Sequence, residues 1–295
     1  MSPDLSAAIA AAISAAEGEA FTVREHRSVA GGYIARNLCL ADGGRRYFVK
    51  IQPPETERIE AESDGLAALA KCPQLVIPRV VASGLADGSA FLVLEWLDFD
   101  RTGSDTELAE AIAALHAIEF PRYGWHRDNW IGATPQANGW RDDWADFFVE
   151  RRLRPQIERV GRQGFGDLQR AAAAALAGLS RGLAGYRPRS GLLHGDLWSG
   201  NVGFVGGRPA LFDPAVYAGD GETDLAMAAL FGGFSPRFFS AYRALRPGDS
   251  GAAWRRRLYQ LYHVLNHVNL FGVAYVAQAS DLIRELGRAG ADREV

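Results

Sequence analysis

The chain has 295 residues, 48% of them hydrophobic, and 32 Lys and Arg against 35 Asp and Glu leave a net charge of −3. That balance gives no electrostatic footprint for nucleic acid, no polybasic stretch suggests a membrane surface, and two cysteines, Cys39 and Cys72, cannot form a disulfide framework. With no basic leader and no apolar run of membrane-spanning length, the composition points to a cytoplasmic globular protein. In chain order, Leu5, Ile9 and Ile13 at spacing four read as the buried stripe of a short helix. Residues 35–40 and 45–51 read as strands joined at the Asp42-Gly43-Gly44 turn. The pattern predicts a helix over 57–70, with Thr56 as N-cap and Ile59, Leu66 and Leu69 on its apolar face. Residues 78–83 and 90–94 are two further strands. After Glu95-Trp96-Leu97 helices dominate, over 105–118, 141–160, 167–185, 222–231, 236–245 and 252–286. One β interruption, 201–205 with 209–212, turns at Gly206-Gly207. The fold class is α+β: an N-terminal lobe at 1–97 with a five-stranded sheet and a helix, then a larger helical lobe at 98–295.

The densest chemical signal is His194-Gly195-Asp196-Leu197-Trp198-Ser199-Gly200-Asn201. An Asp two residues after a His and five before an Asn has the spacing of a phosphotransferase catalytic loop, where a carboxylate meets the acceptor hydroxyl and a carboxamide oxygen holds a metal. Asp196 is the candidate base, Asn201 the metal ligand, and His194 a support behind the loop. The bland alternative is a polar turn, in which Asp and Asn are common. Context argues against it. Asp213 ends an apolar strand twelve residues past Asn201, and the intervening hairpin is expected to bring both oxygens to one Mg²⁺.

Lys50 lies between apolar neighbours on a strand, where an unpaired ammonium is expensive to bury. The expected partners are the phosphates of ATP and a carboxylate of the next helix, Glu62, with Glu60 as the alternative. Gly31 and Gly32 stand where a phosphate-covering loop belongs, although two glycines also make an ordinary turn. Asp224 opens a helix, where it either favours the dipole or braces the catalytic loop. Trp198, inside the loop, and Asn266 with His267, polar groups in an apolar late helix, are candidate substrate contacts. His263 and Asn269 share faces with His267 and Asn266 by spacing. A protein kinase has Arg where this chain has Gly195. It also needs a long activation loop where only about ten residues separate Asp213 from the helix of Asp224, so a small acceptor is favoured.

These residues resemble the fructosamine kinase family over nearly the whole chain. The likeness is carried by Gly31-Gly32, Phe48-Val49-Lys50, Glu60-Ala61-Glu62, residues 91–97, Trp140-Arg141-Asp142-Asp143-Trp144, residues 192–202, Phe212-Asp213-Pro214-Ala215 and Leu265-Asn266-His267. The resemblance implies a bilobal protein-kinase-like fold, ATP and Mg²⁺ as cofactors, and phosphorylation of the 3-hydroxyl of a ketosamine on a glycated amine or protein, a deglycation repair. It also implies a cleft between the lobes, with adenine held by backbone at Glu95 and Leu97, and shorter ketosamines such as ribulosamines ahead of fructosamines. Where many eukaryotic relatives carry a phosphate-loop cysteine this chain has Tyr33, so no redox switch carries over. A monomer is expected. Two other readings compete: an aminoglycoside or other amino-alcohol phosphotransferase on the same scaffold, and a silent nucleotide-binding regulator, which the intact Lys50, Asp196, Asn201 and Asp213 oppose.

Overall fold

The chain enters on α1 (Pro3–Glu17), where the Ser2 hydroxyl accepts from the Leu5 N–H at 3.2 Å and Pro3 sits in the first turn without wasting a donor. Gly18, at φ 70°, closes the helix in the left-handed conformation. β1 (Glu25–Ser28), β2 (Arg36–Ala41), β3 (Arg46–Gln52), α2 (Thr56–Leu69), β4 (Val80–Ala86) and β5 (Ser89–Glu95) follow. The strands make one antiparallel sheet in the order β1-β2-β3-β5-β4. The computed structural model describes residues 1–30 and 35–291, so Gly31, Gly32 and Tyr33 lie outside the described residues.

Strand alternation gives this sheet two buried faces. Val49 and Ile51 pack with Leu5, Ile9 and Ile13 of α1, while Ile59 and Leu66 of α2 pack with Leu92, Leu94 and Phe48. Lys50, in register between Asn37 and Leu92 at the centre of the sheet, alternates with Val49 and Ile51 and so leaves β3 on the α2 side. Thr56 is the first residue of α2 and not its cap. The Glu55 N–H bonds the Pro53 carbonyl at 2.6 Å, and this turn starts the helix one residue earlier than its sequence pattern suggests.

The second unit begins with α3 (Asp105–Leu115), capped by Ser104, and the hairpin β6 (Asn129–Ile131) with β7 (Thr134–Gln136). The helix expected over 141–160 is divided into α4 (Trp144–Phe148), a π-helical turn (Val149–Leu153) and α5 (Arg154–Arg162). Pro155 has no N–H for the Arg151 carbonyl, and Arg152 Nη1 donates to it instead at 3.1 Å. α6 (Gly166–Leu183) and β8 (Gly191–Leu193) complete this stretch.

β9 (Val202–Val205) and β10 (Arg208–Leu211) turn at Gly206 and Gly207, whose φ values are 56° and 78°. This hairpin belongs to the first unit: the Val76 N–H donates to the Pro209 carbonyl at 2.8 Å, and the Leu211 N–H to Val76 at 3.1 Å. The Phe204 ring lies so close over Gly103 that a Cβ there would meet it at 1.9 Å. The first unit is therefore Met1–Gly103 with Gly203–Pro214, and the second Ser104–Val202 with Ala215–Val295, where the sequence suggested one division at 97–98.

β11 (Tyr217–Gly219) pairs with β8 in the second unit, before α7 (Glu222–Ala228), α8 (Pro236–Leu245), α9 (Ala252–Phe271) and α10 (Val276–Ala291). The helix expected over 252–286 is broken at Gly272, where φ is 73° and a 3₁₀ turn (Gly272–Tyr275) intervenes. No described helix is long and apolar enough to cross a membrane.

Candidate active site

In the first unit, Lys50 Nζ lies 2.5 Å from Glu62 Oε1 and 2.5 Å from Asp213 Oδ1. Glu62 stands three residues from Ile59 and four from Leu66, on the α2 face that meets the sheet, whereas Glu60 is exposed. Burial alone would pull the Lys50 ammonium down, but the Glu62 and Asp213 carboxylates outweigh it and hold the group charged, above its usual range. Asp213 adopts φ 56°, a conformation that costs a residue with a Cβ about 1–2 kcal/mol. Glu95 ends β5 with its N–H donating to the Arg79 carbonyl at 2.9 Å, and Leu97 lies half-buried two residues beyond.

In the second unit, the loop between β8 and β9 is held from beneath by Asp224. This fully buried carboxylate accepts the His194 N–H at 2.7 Å and the Gly195 N–H at 2.9 Å, and its Oδ2 lies 3.1 Å from His116 Nε2. Burial would raise the Asp224 carboxyl, but the bond to His116, the neighbouring His116 and His194 rings, and the Gly195 N–H together keep it below its ordinary value. His194 Nδ1 accepts the Asp196 N–H at 3.2 Å, and the His194 carbonyl accepts from Ala215 at 2.8 Å. Gly195 has φ 83° and would place a Cβ 2.0 Å from the Ala215 carbonyl oxygen, so Arg cannot stand there without moving the chain. Asn201 Nδ2 donates to the Asp196 carbonyl at 2.9 Å and approaches Asp196 Oδ2 at 3.4 Å. That bond commits the carboxamide nitrogen to Asp196 and leaves acceptor chemistry to the carboxamide oxygen.

The three candidate substrate contacts are placed differently. Trp198 is 38% exposed, with its indole over Gly200, where a Cβ would meet the ring at 2.1 Å. The His267 ring lies 4.4 Å from that of Phe231, tilted by 43°, and the segment carrying Phe231 passes the loop where Gly233 would set a Cβ 2.4 Å from Ser199. Asn266 instead lies in the core: its carboxamide oxygen accepts from Gln156 at 3.2 Å, and Asn269 donates to the same Gln156 at 2.6 Å. A polar residue in an apolar helix looks like pocket lining, but Gln156 of α5 satisfies this one internally.

A model of the fructosamine kinase family matches residues 5–289. The chain belongs to the fructosamine kinase family. Its similarity to "Probable ketoamine kinase" of Synechocystis is 43% identity, over 94% of this chain and 95% of the relative. It is 34% identical to the chloroplastic protein-ribulosamine 3-kinase of rice, over 90% of this chain and 80% of the relative. A candidate fructosamine-3-kinase from Haemophilus somnus superposes with a TM-score of 0.88 at 30% identity, covering 94% and 96% of the two chains. A thermostable mutant of an aminoglycoside phosphotransferase, at 18% identity and TM-score 0.64 over 96% and 99% of the chains, shares the fold alone.

Two residues that support the loop escape the sequence pattern. His116, completely buried after α3, bridges Asp224 and the Tyr242 hydroxyl, the latter at 2.7 Å. A histidine directly after the apolar run Ala111–Leu115 was the available signal, but its partners lie more than one hundred residues away along the chain.

Proposed function

We propose that this member of the fructosamine kinase family transfers the γ-phosphoryl group of ATP to the 3-hydroxyl of a ketosamine, of ribulosamine or fructosamine type, in repair of glycated amines and proteins in the cytoplasm. The observation that carries the reading is the loop in which Asp224 holds the amides of His194 and Gly195, and Asn201 is bonded to Asp196. The ketoamine and ribulosamine kinases among the relatives support the acceptor class.

Asp196 takes the proton of the 3-hydroxyl as that oxygen bonds the γ-phosphorus and the bond to the β,γ-bridging oxygen breaks. Asn201 orients Asp196 and offers its carboxamide oxygen to Mg²⁺, and the Asp213 carboxylate of the first unit is the other proposed metal ligand. No group of three or more His, Cys, Asp or Glu gathers for a metal among the described residues. Two protein oxygens completed by phosphate and water suit Mg²⁺, which is seldom held in an all-protein cage. When bound, the ion neutralises charge on the phosphate oxygens. Lys50, set by Glu62, binds the phosphates. The Glu95 N–H is committed to Arg79, so its carbonyl is the group offered to adenine, with the backbone of Leu97 beside it. Trp198 and His267 are the proposed contacts to the sugar.

ATP consumption by the purified protein with Mg²⁺, on ribulosamine, fructosamine and aminoglycoside acceptors, tests the reading. Turnover on a ketosamine that falls by about 10²-fold or more in Asp196→Asn, with ATP binding retained, is expected. Turnover confined to aminoglycosides overturns the acceptor, and near-normal turnover in Asp196→Asn overturns the role of the carboxylate.

A further inference from the structure

Away from the catalytic loop, the second unit contains a cavity of about 810 Å³ framed by α7, α8 and the start of α9. That volume suits a small molecule. One wall is braced by Arg255, a buried guanidinium that donates to both oxygens of Glu222 at 2.7 Å and to Asp249 at 2.8 Å, and lies 3.9 Å over the Tyr186 ring. Arg255 thereby offsets one of the two negative charges of Glu222 and Asp249 within the wall. Asp220 accepts from the Tyr259 hydroxyl at 2.7 Å and the Glu222 N–H at 3.0 Å, and burial, then the neighbouring Glu222, pushes its carboxyl up to about 6.

The positive side of the lining has no such compensation. Arg189 pairs with Glu119 at 3.5 Å, but among the described residues Arg243, Arg246 and Arg256 have no carboxylate within ion-pair reach. Three arginines outside any ion pair line a cavity far larger than one phosphate, beside Leu225 and Phe239, and this mix matches an anion attached to a carbon skeleton. The cavity is also joined to the catalytic loop. Tyr242 lines it, the Tyr242 hydroxyl is bonded to His116 Nδ1, His116 Nε2 reaches Asp224, and Asp224 carries the His194 and Gly195 amides. α7 supplies both Glu222 to the wall and Asp224 to the loop.

We propose that this cavity binds a small phosphomonoester through Arg243, Arg246 and Arg256, and that Tyr242, His116 and Asp224 transmit its occupancy to the catalytic loop. The binding stands independently of the phosphotransfer reading; only the consequence for the loop's chemistry rests on it. Such a ligand has the chemical class of a phosphorylated sugar, the kind of product that the proposed reaction releases.

Titration calorimetry with ribose 5-phosphate, inorganic phosphate and ribose tests the site without reference to turnover. Ribose 5-phosphate is expected to bind the wild-type protein and Lys50→Met alike, more tightly than inorganic phosphate, while ribose does not bind. In Arg243→Gln/Arg246→Gln the affinity drops by about tenfold or more, with the ligand-free melting temperature unchanged. Undiminished binding in the double variant, loss of binding in Lys50→Met, or no binding of ribose 5-phosphate at all overturns the site. Hydrogen exchange reads the link. Ribose 5-phosphate should slow exchange of the His194 and Gly195 amides in the wild type. In Tyr242→Phe, which loses the bond to His116, the ligand should bind without that slowing. Unchanged exchange in the liganded wild type overturns the transmission.

Discussion

Gly195 and Ala215 stand so close that a Cβ on the first would lie 2.0 Å from the carbonyl oxygen of the second. The same Ala215 donates its N–H to the His194 carbonyl at 2.8 Å, so the contact pins the start of the β8–β9 loop to the segment that leads into β11. Gly195→Ala therefore meets both a left-handed φ of 83° and a backbone clash. A loss of about 3 kcal/mol in urea unfolding is expected, together with a fall in kcat, because relief of the clash displaces Asp196.

Asp224 is the acceptor for three donors in a site without water access. Asp224→Ala leaves the His194 and Gly195 amides unpaired and should destabilise the fold by about 3–5 kcal/mol, measured by denaturant titration. His116→Phe removes one of the three donors and should show a smaller loss of stability with a measurable loss of kcat. Equal stability of Asp224→Ala and wild type would contradict the bracing role.

The Lys50–Glu62 pair should appear in the kinetics of ATP. Glu62→Gln leaves Lys50 drawn towards Asp213, the residue proposed for the metal, and kcat/KM for ATP should fall by about 10–100-fold with the far-UV spectrum unchanged. Glu60→Gln, on the exposed side of α2, should behave as wild type. If the two variants have similar kinetics, Glu62 is not the positioning group.

His263 gives the fold an acid-sensitive element. It takes up a proton near pH 6.5 in the unfolded chain but only near 3 in the fold, where burial first, then His267, keeps it neutral. The unfolded state thus binds more protons between those values, so this contribution to stability is present above about pH 6.5 and declines as the pH falls. At pH 5 the loss amounts to about 2 kcal/mol. His263→Leu should flatten the unfolding free energy between pH 7 and pH 5, measured by urea titration at each pH.

The parts of the site that could be read from sequence are those held together by short stretches of chain. His194, Asp196 and Asn201 lie on one loop, and Glu62 shares a helix face with Ile59 and Leu66, so spacing alone orders them. The strand pattern around Lys50 likewise placed it on a sheet, although its meeting with Asp213 depends on a hairpin far along the chain. What escaped has a different physical origin. β6, β7, β8 and β11 have three residues each, too few to display alternation. His116 and Tyr242 acquire their roles through partners distant in sequence, and Asn266 has its hydrogen bond satisfied by one. The breaks at Pro155 and Gly272 fall inside helical patterns that run on through them.

Lys50 sets one ammonium between two carboxylates, Glu62 and Asp213. A polyphosphate arriving without a metal draws the ammonium from Asp213 and leaves two carboxylates and its own charge facing one cation. A polyphosphate that brings a divalent ion lets Asp213 exchange one positive partner for another. On the proposed function, the trio would act as a discriminator that favours metal-loaded nucleotide over the free anion at entry.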